Sequence, residues 1–344
     1  MKIAIVSQVP FALDAGGLEV QLLATADALR AAGVQVELFD AWKRLFEADL
    51  LHCFGSDYQL GEVVARAKAR GIPVVVSSVF APRRSEAFYA VWKTVDRLVP
   101  MKTSFRVRAG ILRAADAVVA LTPAEADHVR RFFGVNPRNV HVVPNGVDAR
   151  FFRADPSAFV AAHGLRDFVL LVASVDPLKN QLRLVDALDG AGMRLVLIGA
   201  PRAQEQAYAD ALAAAVRDRS DVLWIKGLPY ESPLLPSAYA AARVHVLPSL
   251  VEVQPLAALE AAAAGANLVL SDLAALRQSF AGVAWYCDPR STPSIRGAVV
   301  RAYHAPRGAR YDHRPGWLLP WHDVAVRLIR VYETVLNQTA TRGG

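Results

Sequence analysis

Two carboxylates eight residues apart, Glu252 and Glu260, stand in the segment Pro248-Ser249-Leu250-Val251-Glu252-Val253-Gln254-Pro255-Leu256-Ala257-Ala258-Leu259-Glu260, which runs on through four alanines to Gly265. Pro255 suits the first position of a helix and Gly265 its close. That places Glu252 in the loop beside the positive helix end and Glu260 about two turns in. Carboxylates accept pairs of hydroxyl hydrogen bonds, as a sugar or a ribose offers. The free N–H groups near Pro255 and Leu256 suit an adjoining phosphate. Spacing alone leaves a second reading open: Glu260 as an ordinary surface residue, and Glu252 as a charge favoured by the helix dipole. Lys179 lies in a second loop, Ser174-Val175-Asp176-Pro177-Leu178-Lys179-Asn180. There it is either a point charge for a phosphate or a solvated lysine. A third loop carries Gly16-Gly17-Leu18-Glu19. Its paired glycines admit a ligand close to the backbone at a helix start, or simply make a tight turn. No GxGxxG fingerprint is present, which argues against a dinucleotide-dependent dehydrogenase.

These loops need a frame, and short β-branched runs supply it. They occur at Ile3–Val6, Val36–Phe39, Leu50–Cys53, Val74–Ser77, Ala117–Leu121 and His141–Val143. A second series follows at Val169–Ala173, Leu195–Ile198, Val222–Ile225, Val244–Leu247, Leu268–Leu270 and Ala284–Tyr286. The runs are continuously apolar, as expected of strands covered on both faces in parallel sheets. Helical patterns between them, such as Leu18–Ala32 closed by Gly33, give an α/β chain of doubly wound sheets. In such sheets ligands bind beyond the carboxyl ends of the strands, where all three loops fall. The series is interrupted over 149–168, read as an interdomain linker. Val324, Leu328, Val331 and Val335 mark a closing helix from Trp321.

Composition bounds the rest. The chain has 344 residues, 21% of them charged, which suits two folded domains. No apolar run reaches the ~18 residues of a membrane-spanning helix, and Ile3–Val6 is too short for a signal peptide. Cys53 and Cys287 make neither a disulfide framework nor a zinc site and point to a reducing cytosol. Thirty-nine Lys and Arg oppose 32 Asp and Glu, for a net +7. Eight basic residues between Arg83 and Arg113 face only Glu86 and Asp96. No nucleic-acid-binding motif accompanies them, so nucleic acid is not expected as a partner. If 102–113 is helical, Lys102, Arg106 and Arg113 fall within about 40° of one another. Phe105 and Leu112 lie on a neighbouring stripe. Such a face suits an anionic membrane surface, an anionic acceptor, or plain solvent.

The arrangement resembles the retaining GT-B glycosyltransferases of family GT4. Glu252 and Glu260 match the family's E-x7-E motif, and Leu259-Glu260-Ala261-Ala262-Ala263-Ala264-Gly265 its L-E-A-M-A-x-G. Gly16-Gly17-Leu18-Glu19 is similar to its G-G-x-E, and Val143-Pro144-Asn145-Gly146-Val147-Asp148 to its V-P-N-G-V-D. Asp176-Pro177-Leu178-Lys179-Asn180 resembles its donor-phosphate loop, and Tyr286-Cys287-Asp288-Pro289 with the Trp321 helix its closing segments.

The resemblance implies a GT-B fold: a Rossmann-like acceptor-side domain over 1–150, a Rossmann-like donor domain over 151–320, and a helix over 321–338 crossing back to the first. It implies a nucleotide-sugar in the cleft between them. Lys179 would meet the diphosphate, Glu260 the ribose and Glu252 the donor sugar. Gly16, Gly17, Ser174, Gly227, Leu228, Pro255 and Leu256 would complete the donor site, with His52 and Asn145 as candidates for sugar or acceptor contact. It implies transfer of a hexose from a UDP- or GDP-linked donor, with retention, to a glycan or lipid-linked glycan at the inner face of a bacterial-type membrane. No metal or other cofactor is expected, and no D-x-D loop is present. Three departures stand out. Ser174 stands where the family commonly has Arg, Phe80 takes the place of a His near the sugar, and Val253-Gln254-Pro255 replaces a glycine-containing run. They keep two alternatives open, a non-catalytic sugar-nucleotide-binding paralogue and a GT-B-like sugar-nucleotide epimerase.

Overall fold

The computed structural model describes residues 1–9, 11, 16–82, 84–98, 103–310 and 318–343. The chain forms two compact units, Met1–Gly146 with Trp321–Gly344, and Val147–Pro320. The strands of the first are β1 (Lys2–Ser7), β2 (Gln35–Leu38), β3 (Leu50–Phe54), β4 (Val74–Ser77), β5 (Ala117–Ala120) and β6 (Val140–Val142). They form one sheet in the order β2-β1-β3-β4-β5-β6. Every pairing is parallel, with Ile3 opposite Leu50, Leu51 opposite Val74, and Val118 opposite Val140. β6 begins and ends one residue earlier than its apolar run suggests.

After a two-residue strand β7 (Gly146–Val147), the second unit supplies β8 (Val169–Val172), β9 (Leu195–Ile198), β10 (Val222–Ile225), β11 (Val244–Leu247), β12 (Asn267–Ser271) and β13 (Ala284–Cys287). They too form one parallel sheet, ordered β10-β9-β8-β11-β12-β13. A two-residue β14 (Leu319–Pro320) pairs with β7.

The continuous apolar runs have the expected cause. In the second sheet Leu170, Leu247 and Leu268 point into one core, packed with Phe151, Phe159 and Phe168. Their neighbours Val169, Leu171, Val246 and Val269 point into another, against Leu184, Ile295 and Val299. With helices on both faces, neither set of alternate residues meets water.

The stretch 149–168 is not a bare linker. It holds helices Ala149–Phe152 and Ser157–His163, whose Phe151 and Phe159 are fully buried in the second unit's core. Both helices are too short to show a period in sequence. The closing helix Trp321–Gly343 packs against the helix Gly17–Ala31 within the first unit, and Val324, Leu328, Val331 and Val335 are all buried. Among the described residues no helix is long and apolar enough to cross a membrane.

Candidate active site

The second unit gathers most of the predicted residues at the carboxyl ends of its strands. After β8, Asp176 caps a short turn over Pro177–Lys179, its Oδ1 accepting from the Leu178 N–H at 2.7 Å. Asn180 follows with a φ of +65°, a left-handed conformation that asparagine tolerates better than most residues. Its buried Nδ2 donates to the Pro248 carbonyl at 3.0 Å and the Pro289 carbonyl at 2.7 Å. The Leu250 N–H donates to the Leu178 carbonyl at 2.8 Å. Three strand-end loops are thereby tied together. Gly199, ending β9, lets the start of the lysine loop pass close by; a Cβ there would overlap the Ala173 carbonyl.

In this frame Lys179 and Glu252 meet. The Lys179 Nζ lies 2.5 Å from the Glu252 Oε1, with the lysine side chain 25% exposed and the glutamate 10%. Pro255 stands just before the helix Leu256–Ala263 rather than in its first turn, and Gly265 beyond the other end has a φ of +80°. The first N–H groups of that helix have no partner inside it, and Pro255 contributes none. Ser174 is half-buried, its carbonyl accepting from Gln181 Nε2 at 2.8 Å. Gly227, with a φ of +134°, and Leu228 follow β10, and Leu228 packs on the core.

Glu260 is no surface residue. It is 4% exposed, and its Oε2 accepts from the Tyr239 hydroxyl at 3.0 Å. Burial lifts its carboxyl to about 7, against the pull of hydrogen bonds from the Tyr239 and Tyr230 hydroxyls. Arg150 buttresses the cluster, with a guanidinium nitrogen 2.5 Å from the Tyr230 carbonyl and its carbon 4.4 Å from the Tyr230 ring centre.

The remaining predicted residues belong to the first unit. Gly16 directly precedes the helix that Gly17 opens, and a Cβ on Gly17 would meet nothing within 4 Å. Packing therefore does not demand glycine there. Asn145 is buried beside Trp321, Thr25 and Gln21.

His52 corrects an expectation. It is fully buried, with Nδ1 2.7 Å from the Tyr332 hydroxyl and Nε2 2.9 Å from the Ser77 Oγ. Neither nitrogen is left for a sugar or acceptor, and burial lowers its pKa to about 3. Phe80 likewise packs inside an aromatic group with Tyr89, His128 and Phe133, its N–H donating to the buried Glu125 at 2.7 Å.

The basic stripe also belongs to the first unit. Lys102 lies outside the described residues. Arg106, on the helix Ser104–Ala114, pairs with Asp96 at 3.0 Å. Arg113 is exposed, its Nε donating to the Ala109 carbonyl at 3.1 Å. The apolar residues beside it face inward: Leu112 is fully buried and Phe105 packs on Phe133. The helix thus turns Leu112 and Phe105 to the core.

Residues 37–146 match the glycosyl transferase 4-like domain, and residues 159–291 match the glycosyl transferases group 1 family. Between them the two matches take in most of the chain, which is a GT4-type glycosyltransferase. It is 29% identical to D-inositol 3-phosphate glycosyltransferase 1 of Catenulispora acidiphila, over 94% of this chain and 92% of that protein. It is 33% identical to the D-inositol 3-phosphate glycosyltransferase of Kineococcus radiotolerans, over 68% of this chain and 60% of that one. Among solved structures, sucrose-phosphate synthase from Thermosynechococcus elongatus matches with a TM-score of 0.79 at 19% identity, covering 98% of this chain and 99% of that one. Anabaena HepE in complex with UDP-glucose matches with a TM-score of 0.70 at 18% identity, covering 99% of each chain. The fold is GT-B, with two Rossmann-like parallel-sheet domains, and the chain is a glycosyltransferase with a nucleotide-sugar donor.

Within this glycosyltransferase, sequence reasoning passed over Tyr230, Tyr239 and Arg150. Tyr239 lies 21 residues before Glu260 on another helix, and no local spacing links the two. Asn180 stood in the quoted lysine motif, but its part in joining the loops shows only in the fold.

Proposed function

We propose that the second unit binds the donor and that the enzyme moves a hexose from a UDP- or GDP-linked sugar with retention at the anomeric carbon. Lys179 meets the diphosphate, Glu260 the ribose and Glu252 the sugar. The observation that carries this reading is the meeting of Lys179 and Glu252 at one strand-end edge, with the helix bearing Glu260 following directly. In the reaction, the bond from the sugar's C1 to the diphosphate oxygen breaks. The acceptor oxygen bonds to C1 on the same face, and the acceptor proton passes to the departing diphosphate. Charge develops on that diphosphate, and Lys179 with the first N–H groups of the helix Leu256–Ala263 opposes it. These groups allow transfer without a required metal.

The relatives named for inositol 3-phosphate favour a phosphorylated polyol or sugar as acceptor, with a glycan or lipid-linked glycan as the other class. The test offers UDP-glucose and GDP-mannose, with inositol phosphates and oligosaccharides as acceptors, with and without EDTA, and reads the product's anomeric configuration by NMR. Retained configuration with EDTA present supports the reading. An inverted product overturns retention, and loss of turnover in EDTA overturns metal independence. Epimer formation without acceptor, or nucleotide binding with neither transfer nor hydrolysis, overturns the transferase reading for this chain.

A further inference from the structure

We propose that Tyr239 is a positioning residue that fixes the Glu260 carboxylate for the nucleotide's ribose. The inference rests on the reading that Glu260 takes the ribose. Tyr239 comes from the helix Leu234–Ala241 and is fully buried, its hydroxyl 3.0 Å from the Glu260 Oε2. Its ring stands edge-on to Phe151 at 5.7 Å, which leaves the hydroxyl little freedom to swing away. Tyr230 is coupled electrostatically to the same carboxylate. It lies three residues past Gly227, in a segment that Arg150 clamps through the Tyr230 carbonyl and ring.

A carboxylate has about four acceptor positions. The Tyr239 hydroxyl fills one of them and restrains the group. The remaining positions suit the two neighbouring hydroxyls of a ribose. On an exposed helix face a glutamate would have to be ordered by its ligand; here the protein has ordered it already. The charged and titratable groups around it are few. They are the two tyrosines, Arg150 and Asp148 from the start of the unit, and His245 of β11, 5.6 Å from the Tyr239 ring and kept neutral by burial at about 3. The tyrosine hydroxyls favour the ionised carboxylate, the form that accepts both ribose hydroxyls.

The test measures calorimetric affinity for UDP and GDP from pH 6 to 8.5, in the full chain and in Tyr239→Phe and Glu260→Gln. Glu260→Gln supplies the baseline for the nucleotide's own phosphate titration. Pyrophosphate is the probe without a ribose. Above that baseline, affinity in the full chain should rise as pH passes about 7. Tyr239→Phe should move this midpoint upward and weaken nucleotide binding several-fold at pH 7, with pyrophosphate binding unchanged. The loss should fall on the donor KM more than on kcat. An unmoved midpoint in Tyr239→Phe, while Glu260→Gln still weakens binding, overturns this inference alone. If Glu260→Gln leaves nucleotide affinity unchanged, the ribose reading falls with it.

Discussion

Replacing Glu252 by Gln should tighten the binding of a bare nucleoside diphosphate while slowing transfer. The Lys179 Nζ and Glu252 Oε1 lie 2.5 Å apart, so a diphosphate reaching Lys179 must take it from Glu252. A hydrogen bond between ionised groups contributes about 1.5–3 kcal/mol net. The lysine is a quarter exposed, which screens the pair and argues for a lower figure, about 1–1.5 kcal/mol. Removing the negative charge relieves that competition and also the repulsion between Glu252 and the diphosphate, which acts in the same direction. Glu252→Gln should therefore lower the Kd for UDP or GDP roughly five- to tenfold. Turnover should move the other way, because the transferred sugar loses a charged partner; comparable losses run to about 10²–10³ in kcat. Calorimetry with the bare nucleotide and steady-state kinetics with the cognate donor read the two effects separately. An unchanged or weaker nucleotide affinity would refute the competition, since the pair would then play no part in ligand entry.

Lys179→Ala should cost turnover about 2.7–4 kcal/mol, or 10²–10³ in rate, read in steady-state kinetics; unaltered turnover and nucleotide binding would place the phosphate loop elsewhere. Acid should destabilise the fold. Burial lowers His52 and His245 to about 3 and His128 to about 4, so below their unfolded value near 6.5 the unfolded chain binds more protons and stability falls with pH. Glu260, raised to about 7, and Glu125, also raised, act in the opposite sense above about 4.5, two groups against four, because burial lowers His141 as well. The expected net loss is roughly 1 kcal/mol per pH unit, read as a Tm lower at pH 5 than at pH 7.5; a higher Tm at pH 5 would count against it. In Gly146→Ala the added Cβ would meet the Trp321 Cα at 2.7 Å and its ring at 2.6 Å, so stability should drop by about 1–3 kcal/mol in a denaturant melt.

The strands were legible because both faces of each sheet are covered, and a doubly buried strand writes itself as a continuous apolar run. Glu252 and Lys179 stood out because each lies in a loop beside a strand end, and Glu260 because Pro255 and Gly265 bracket its short helix. Their partners were not legible, because those come from elsewhere in the chain. Glu252 lies 73 residues from Lys179, and His52 lies 280 from Tyr332. The surroundings of the basic stripe were hidden for the same reason. Helical spacing aligns Arg106 and Arg113, but it does not reveal Asp96 beside Arg106, nor that Leu112 points into the core.

Glu260 shows what this difference does to chemistry. Its position in the motif suggests a carboxylate, and the Tyr239 hydroxyl, from another helix, donates to it against burial that favours the neutral acid. The motif supplies the functional group, and the surrounding fold sets its charge. A chain with the same motif but phenylalanine at 230 and 239 would present the same sequence signature with the carboxyl shifted towards its neutral form. A neutral acid accepts ribose hydroxyls less well, so the two chains would differ in donor affinity near neutral pH despite an identical E-x7-E segment.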